Sequence, residues 1–149
     1  MDGEDVSEAL DPRHLELLKE RVGSSPFHQW AGMELVSVGN GQAEVAMDLQ
    51  PQHFNPQGIV HGGIIAAIAD TAIGLALRSR LKTGFTHRTA QLNVHFVSKG
   101  EGTQIVGRGR SMHLGQRMGY GEAEVVDATG RLLARASATF IVLPAPGAF

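Results

Sequence analysis

The chain has 149 residues, enough for one domain that buries roughly 70% of the surface exposed by its unfolded form. It contains no cysteine, which excludes disulfides, thiolate nucleophiles and Cys-ligated metal sites and fits a reducing cytoplasm. Its net charge of −2 creates no basic field that could attract nucleic acid or anionic lipid. We therefore expect a cytoplasmic globular protein that binds neither nucleic acid nor membranes.

The first 26 residues are predicted to form a tail and a short helix. Residues 1–10 carry four acidic residues and no basic targeting region, so we expect neither a signal peptide nor a transit peptide. The helix begins after Asp11 with Pro12 at its first position, and its apolar residues recur at the three-to-four spacing of one helix face. The Gly-Ser-Ser-Pro run that closes at Pro26 ends it.

A hairpin and a loop are predicted next. Residues 33–49 alternate between apolar and polar, with Gly39-Asn40-Gly41 between the two halves, and this pattern is typical of a β-hairpin. Residues 50–58 contain two prolines, an asparagine and a glycine, which predict a loop.

The stretch from Ile59 to Leu77 is the most apolar part of the chain. It approaches the length of a membrane span, but it contains His61, three glycines and Asp70 and has no flanking aromatic belt. We predict a buried helix from His61 to about Arg80. Its apolar residues occupy nearly every direction around the axis, so other elements must surround it.

The second half of the chain is strand-like. Alternation over residues 87–98, 103–113, 117–128 and 131–143 predicts four strands in an antiparallel meander. In the first strand it places Ala90, Leu92, Val94 and Phe96 on a core face, and Thr89, Gln91, Asn93 and His95 on the opposite face. The predicted fold class is α+β, with an antiparallel sheet of five or six strands wrapped around one long central helix.

One motif carries candidate chemistry, Asn55-x-x-Gly58-x-x-His61-Gly62-Gly63, followed by Asp70. A carboxylate in a buried helix costs several kcal/mol unless it is paired or hydrogen-bonded, and no basic residue lies three or four positions from Asp70. A structural partner for Asp70 or a catalytic role would each explain it. The two glycines either expose helix N-terminal amides to a substrate carbonyl or allow close packing.

Helix geometry separates the two halves of this motif. Nine residues between His61 and Asp70 amount to about 13.5 Å of rise and half a turn. If Asp70 acts on a carbonyl held by the Gly62 amide, two antiparallel helices must meet across a two-fold axis. We therefore expect an obligate homodimer with composite sites, in which Asp70 attacks the carbonyl or activates water, Asn55 positions the water or the acyl group, and His61 orients the loop or the carbonyl.

Other templates lack a motif. The chain has no G-x-S-x-G, H-E-x-x-H, Walker A or G-x-G-x-x-G sequence. Its seven histidines do not cluster, and His87 and His95 would lie roughly 26 Å apart on one strand face, so no metal site is predicted. Most histidines are expected at the surface or in loops. Arg108 and Arg110, with Arg117, are predicted either to bind phosphates or to form a solvated edge.

The N-x-x-G-x-x-H-G-G run with its downstream Asp70 resembles the PaaI-type acyl-CoA thioesterases of the hotdog superfamily. The resemblance extends over residues 27–143 and includes the D-x-x-x-G of Asp70 to Gly74, the LGQR turn and the final strand. It implies a hotdog thioesterase domain at 27–143, with residues 1–26 before it and a tail at 144–149 after it. It also implies dimers, usually assembled as tetramers, and hydrolysis of a thioester to free acid and coenzyme A, which is part of the substrate, so no separate cofactor is expected.

The resemblance also assigns roles to single residues. It makes Asp70 the catalytic carboxylate and Gly62 the backbone donor to the thioester carbonyl, with Asn55 and His61 as supporting polar groups and Thr89 as a hydroxyl beside the nucleophilic water. It places the coenzyme A nucleotide at His113, Gly115, Gln116 and Arg117. The acyl pocket is expected on and before the helix, at Phe54, Ile64, Ile65 and Ile68 and a strand of the partner subunit. Aryl-acetyl, medium-chain and hydroxybenzoyl groups all remain open.

Two alternatives belong to the same superfamily. Its lyases hydrate or dehydrate acyl thioesters, and the segment from His53 to Pro56 is similar to their loops. A hydratase motif, however, has an Asp where His53 stands, and a dehydratase has a helix Glu where Ala67 stands. A non-catalytic acyl-CoA sensor normally carries a DNA-binding segment, but the acidic N-terminus shows neither a helix-turn-helix nor a basic patch.

Overall fold

A computed structural model of the protein describes residues 12–147. The predicted acidic tail and Asp11 lie outside the described residues. The elements are α1 Pro12–Ser24, α2 Pro26–Ala31, β1 Met33–Gly39, β2 Gln42–Asp48, a 3-10 turn Pro51–His53, α3 Gly62–Arg78, β3 Phe85–Phe96, β4 Gln104–Leu114, β5 Met118–Asp127 and β6 Leu132–Pro144. The predicted first helix, hairpin, central helix and four later strands are all present, and α3 ends two residues before the expected Arg80.

The six strands form one antiparallel sheet in the order β1-β2-β4-β5-β6-β3. The predicted α+β architecture, a sheet around one central helix, is confirmed. The predicted four-strand meander is wrong, because only β4, β5 and β6 follow one another, while β3 pairs with β6 at the far edge. Alternation along a strand defines its two faces but not its neighbours, so the sequence pattern could not reveal this crossover.

The buried core lies between α3 and the inner face of the sheet. Ile68, Ala72 and Ile73 of α3 are fully buried and belong to one apolar cluster with Ile105, Val125 and Phe140 of the strands. Fully burying an aliphatic or aromatic side chain contributes roughly 1.5–3 kcal/mol, so this cluster is the main source of stability. The sheet thus covers the side of the central helix that faces it, as the prediction of a surrounded helix requires.

Glycines in β4 and β5 set the distance between α3 and the sheet. A Cβ atom at Gly109 would lie 2.3 Å from the carbonyl oxygen of Ala72, and one at Gly121 would lie 2.5 Å from Cγ2 of Ile73. The helix backbone therefore rests directly on the strand, and a side chain at Gly109 could not be accommodated. This close contact fixes where each turn of α3 lies relative to the strands.

The two N-terminal helices close one side of the molecule. Leu18 and Val22 of α1 are buried in the core cluster, as the predicted apolar face requires. The short α2 was not predicted; it begins at Pro26 and ends at Gly32, which adopts a left-handed conformation with φ of +70°. Within the described part of the chain, no helix has the length and apolarity needed to cross a membrane.

Candidate active site

The loop before α3 is held by the side chain of Asn55. Its Oδ1 accepts hydrogen bonds from the backbone N–H groups of Gln57 at 2.9 Å and of Ile59 at 3.3 Å. Gly58, with φ of +76°, allows the chain to turn back on itself. Asn55 therefore fixes the loop that carries the chain into the helix.

His61 caps the N-terminus of α3. Its Nδ1 accepts a hydrogen bond from the Gly63 N–H at 2.8 Å, and its backbone N–H donates to the carbonyl of His53. The Gly62 N–H makes no hydrogen bond to any residue in the range 12–147. An uncommitted amide at a helix N-terminus attracts negative charge. It is the group that an oxyanion would bind.

Asp70 lies on the third turn of α3 and is hydrogen-bonded to β3. The Thr89 hydroxyl donates to Asp70 Oδ1 at 2.9 Å. Partial burial raises the pKa of Asp70 above its usual value, and the hydrogen bond from Thr89 opposes that rise by stabilising the charged form. The half-buried carboxylate is thus a stronger base than an exposed one and has a fixed orientation.

A β-bulge in β3 makes this contact possible. Thr89 pairs with Phe140 and Gln91 with Thr139, so Ala90 is an extra residue without a partner on β6. The bulge reverses the alternation, and Thr89 faces α3, as do Leu92 and Val94 beyond it. The prediction that Thr89 shares a face with Gln91 is wrong for this reason. His87 and His95 likewise lie on opposite faces rather than on one.

A single chain places the two halves of the motif in separate cavities. Asn55 and Gly62 line a cavity of about 390 Å³ together with Ile65 and Phe96. Asp70 and Thr89 line a different cavity of about 510 Å³. Eight residues of helix, or about 12 Å, separate Gly62 from Asp70. Gly62 and Asp70 of one folded chain are therefore too far apart to act on the same carbonyl, and this separation is the basis for expecting composite sites.

The residues predicted for the acyl pocket are not brought together by one chain. Ile65 lines the cavity beside Gly62, and Phe54 is half-buried against the core. Ile64 and Ile68 are buried within the core itself and line neither the cavity beside Gly62 nor the cavity beside Asp70.

The residues predicted to bind the nucleotide surround the turn between β4 and β5. His113, Gln116 and Arg117 are exposed there, and Gly115 donates its N–H to the carbonyl of Met118. Their role in coenzyme A binding stays a prediction.

The predicted three-arginine phosphate site is not formed in the single chain. Arg108 lies on the outer face of β4, 3.4 Å from Glu44 and 3.8 Å from Glu124, and Arg110 lines the same outer face, whereas Arg117 lies at the turn. The alternative of a solvated edge is wrong as well, because β4 is an inner strand between β2 and β5.

Two histidines lie away from open solvent, although most of the seven were expected at the surface or in loops. His53 has no exposed surface, and its Nδ1 accepts the Gln50 N–H at 2.9 Å. His87 lines the cavity beside Asp70, and its ring meets that of Phe140 edge-to-face, with centroids 5.0 Å apart. Burial, with a smaller effect of the Arg78 charge, lowers the pKa of His87 to about 4. Its ring is therefore neutral at pH 7.

The cavity beside Asp70 includes residues to which the sequence analysis assigned no role in the site. Gly74 and Arg78 follow Asp70 at intervals of four on α3, and His28 and His87 enter from α2 and β3. The interval of four is the one signal in the sequence that could have linked Gly74 and Arg78 to Asp70. Among residues 12–147, no group of three or more His, Cys, Asp or Glu side chains could hold a metal ion.

Comparison with known proteins identifies similar chains. Residues 57–134, rather more than half of the chain, match the family model described as the thioesterase superfamily. A medium/long-chain acyl-CoA thioesterase of Salmonella typhimurium is 27% identical over 135 residues, which cover 78% of this chain and 85% of that protein.

Two solved structures share the fold. A thioesterase from Haemophilus influenzae superposes with a TM-score of 0.82 at 21% identity, covering 94% of this chain and 95% of that one. The PaaI protein from the phenylacetic acid degradation operon of Escherichia coli gives a TM-score of 0.79 at 20% identity, with coverage of 89% and 96%. At identities below 25%, these two likenesses establish the fold and not the roles of side chains.

Proposed function

Because the chain belongs to the thioesterase superfamily, we propose that it hydrolyses acyl-CoA thioesters to a free acid and coenzyme A. The observation that carries the proposal is that Asp70, hydrogen-bonded to Thr89 of β3, lies on the same helix as Gly62, whose N–H makes no hydrogen bond to any residue in the range 12–147. A base and an oxyanion donor are the two groups that acyl transfer to water requires. No further cofactor is proposed.

The reaction follows from these two groups. The Gly62 N–H donates a hydrogen bond to the thioester carbonyl oxygen and stabilises the negative charge that develops there. The Asp70 carboxylate takes a proton from water as the water attacks the carbonyl carbon. In the alternative route Asp70 attacks that carbon itself, and water then hydrolyses the mixed anhydride that forms, which releases the free acid and restores the carboxylate. The coenzyme A thiolate leaves when the tetrahedral intermediate collapses. Thr89 holds the carboxylate in place and keeps it ionised.

The active unit in this proposal is a homodimer with two composite sites. The edge strand β3 supports it, because the strand is long and largely exposed, and Phe96 at its end and Val97 just beyond it are exposed apolar residues. An edge strand without a partner on one side is a template for pairing with a second copy. Pairing of two β3 strands across a two-fold axis brings the Asp70 of one subunit towards the partner subunit's Gly62. Association of two dimers into a homotetramer is part of the same proposal and rests on the resemblance.

A thiol-release assay tests the activity. The chain has no cysteine, so a chromogenic thiol reagent detects coenzyme A alone. We expect Asp70→Asn to lower kcat for acyl-CoA hydrolysis by about 10²- to 10⁴-fold, the usual loss when a general base is removed. Asp48→Asn is the matched control, because Asp48 is exposed on β2 and lines neither the cavity beside Gly62 nor the cavity beside Asp70. Equal rates for wild type and Asp70→Asn would remove Asp70 from the mechanism.

The oxyanion donor has its own matched pair of variants. Gly62 is the first residue of α3 and follows a His61 with φ of −61° and ψ of 134°, a conformation that tolerates a following proline. Gly62→Pro deletes the N–H, whereas Gly62→Ala keeps it and meets the same Phe96 ring, 3.2 Å from the added Cβ. We expect Gly62→Pro to be about 10²-fold slower than Gly62→Ala. Similar rates for the two would exclude this amide as the donor.

Mixing inactive variants tests the composite site. A heterodimer of Asp70→Asn and Gly62→Pro chains contains one doubly altered site and one intact site if the sites lie between subunits. We expect partial recovery of activity after mixing, measured on heterodimers purified with two affinity tags. Verified heterodimers without recovery would show that each site is built within one chain.

The same assays separate the alternatives. His53, the loop histidine that resembles a dehydratase residue, has no exposed surface and offers no reacting nitrogen to a substrate. Hydration of an enoyl-CoA without thiol release would indicate a lyase, and binding of acyl-CoA without either reaction would indicate a sensor.

A further inference from the structure

The cavity of about 510 Å³ beside Asp70 leads away from the N-terminus of α3. Five elements form its walls: α1, α2, α3, β3 and β6. Asp70 and Thr89 lie at one end, and Arg78 lies at the other. The volume falls in the range that small organic ligands occupy in proteins.

The middle of the cavity is apolar and aromatic. Its lining includes Leu18 and Val22 of α1, Leu75 of α3, and the edge-to-face pair of His87 and Phe140. The His87 ring is neutral at pH 7, because burial lowers its pKa to about 4. A wall of this composition favours hydrocarbon or aryl groups over charged ones.

Gly74 keeps the cavity open next to the reacting carboxylate. It lies one helical turn beyond Asp70, and a Cβ atom there would be 3.3 Å from Cε1 of His87 and 3.5 Å from Cε1 of Phe140. Both distances are at or below ordinary van der Waals contact. Even a methyl group at this position would fill the passage between Asp70 and the aromatic pair.

The far end of the cavity is fixed. The Arg78 guanidinium donates hydrogen bonds to the carbonyls of Phe85, Leu81 and Lys82, so its position is set by the backbone at the end of α3. Arg78 lies two turns beyond Asp70, a rise of about 12 Å along the helix. A group that enters at Asp70 therefore has about that length available.

We propose that this cavity holds the acyl group of the substrate, and that it selects aryl and other compact acyl groups no longer than about 12 Å over long straight chains. The inference rests on the proposed thioesterase activity and replaces the acyl pocket predicted at Ile64 and Ile68. Gly74 and Val22 are the specificity-determining residues. Val22 lies in α1, outside the segment 57–134 that matches the family model, so acyl preference depends partly on a helix that the shared segment does not include.

Two substitutions change the cavity in opposite directions. Gly74→Ala narrows it beside Asp70, and Val22→Ala widens it at the α1 wall. Val126→Ala is the matched control for the second, because Val126 is buried to the same 5% exposure as Val22 and does not line the cavity. The measurement is kcat/KM by thiol release for acetyl-, hexanoyl-, phenylacetyl- and palmitoyl-CoA.

We expect Gly74→Ala to lower the ratio of kcat/KM for phenylacetyl-CoA to that for acetyl-CoA by about tenfold or more, the discrimination that one misplaced methyl group gives in a pocket. Val22→Ala should raise the ratio for palmitoyl-CoA to phenylacetyl-CoA, and Val126→Ala should leave both ratios as in the wild type. Wild-type ratios in both Gly74→Ala and Val22→Ala would overturn the proposal. If Gly74→Ala does not fold, the comparison of Val22→Ala with Val126→Ala is sufficient to test the proposal.

A binding measurement separates this inference from the proposed activity. If no acyl-CoA is hydrolysed, phenylacetyl-CoA stays intact and its affinity can be titrated calorimetrically against that of free coenzyme A. Weaker binding of phenylacetyl-CoA by Gly74→Ala, with unchanged binding of coenzyme A, would support the acyl cavity even though the thioesterase proposal had failed. An equal loss of affinity for both ligands, or no loss of affinity for either, would overturn the proposal of an acyl cavity.

Discussion

Replacing His87 with phenylalanine should make the protein more resistant to acid. The imidazole is held against Phe140 in the cavity, and burial, with the Arg78 charge as a second cause, lowers its pKa from 6.5 to about 4. The unfolded chain takes up a proton at this histidine below about pH 6.5, whereas the folded chain does so only near pH 4. The unfolded state therefore binds more protons throughout this window, and the free energy of unfolding falls as the pH falls.

The size of the effect follows from the shift. Each pKa unit corresponds to about 1.4 kcal/mol, so His87 costs the folded state about 2 kcal/mol at pH 5 and about 3 kcal/mol at pH 4 and below. Above about pH 7.5 this cost disappears, because the histidine is neutral in both states. Phenylalanine keeps an aromatic ring against Phe140 but has no proton to bind.

Urea unfolding at pH 7.5 and at pH 5.0, at one protein concentration, measures this difference. The wild type should lose about 2 kcal/mol more free energy of unfolding between the two pH values than His87→Phe does. His95→Phe is the control, because His95 is exposed on the outer face of the same strand. Identical pH dependence in wild type and His87→Phe would refute the assignment of His87 as a buried neutral base.

Two further substitutions test contacts of the site and of the fold. Thr89→Val removes the hydrogen bond that lowers the pKa of Asp70, so the acid limb of the kcat profile should move to higher pH, as measured by thiol release across pH. Ser79→Ala removes a buried hydroxyl that accepts the Gly41 N–H at 2.8 Å, and it should lower the free energy of unfolding by about 1–3 kcal/mol in urea titrations, because it leaves the amide unsatisfied.

The sequence was most informative where one signal repeats along an element. Alternation located β3 to β6 within two residues, and the apolar run located α3, because burial of one face or of a whole helix dictates those patterns. The six-residue α2 is too short to show a period. Strand order escaped prediction because β3 looks the same whether its neighbour is β4 or β6.

The candidate site was predictable only in part. The motif from Asn55 to Asp70 lies on contiguous sequence, so its spacing could be converted into helix geometry. The cavity beside Asp70 could not, because His28, His87 and Phe140 reach it from three elements that are distant in the chain. The bulge at Ala90 carries no glycine or proline to mark it, and the alternation after it is regular.

The extra residue in β3 makes the position of the Thr89 hydroxyl depend on how the strand pairs as well as on the side chains of the site. Leu92 and Val94 fix the strand beyond the bulge, since their side chains pack against the core. If β3 kept Ala90 but paired with β6 without the bulge, regular alternation would point Ala90 towards α3 and Thr89 towards solvent, with every side chain of the site still encoded. A shift of one residue in register would thus disconnect Asp70 from Thr89 without altering any residue of the site. Among related chains, the number of residues between the site threonine and the core positions of this strand is therefore as informative as the identities of those residues.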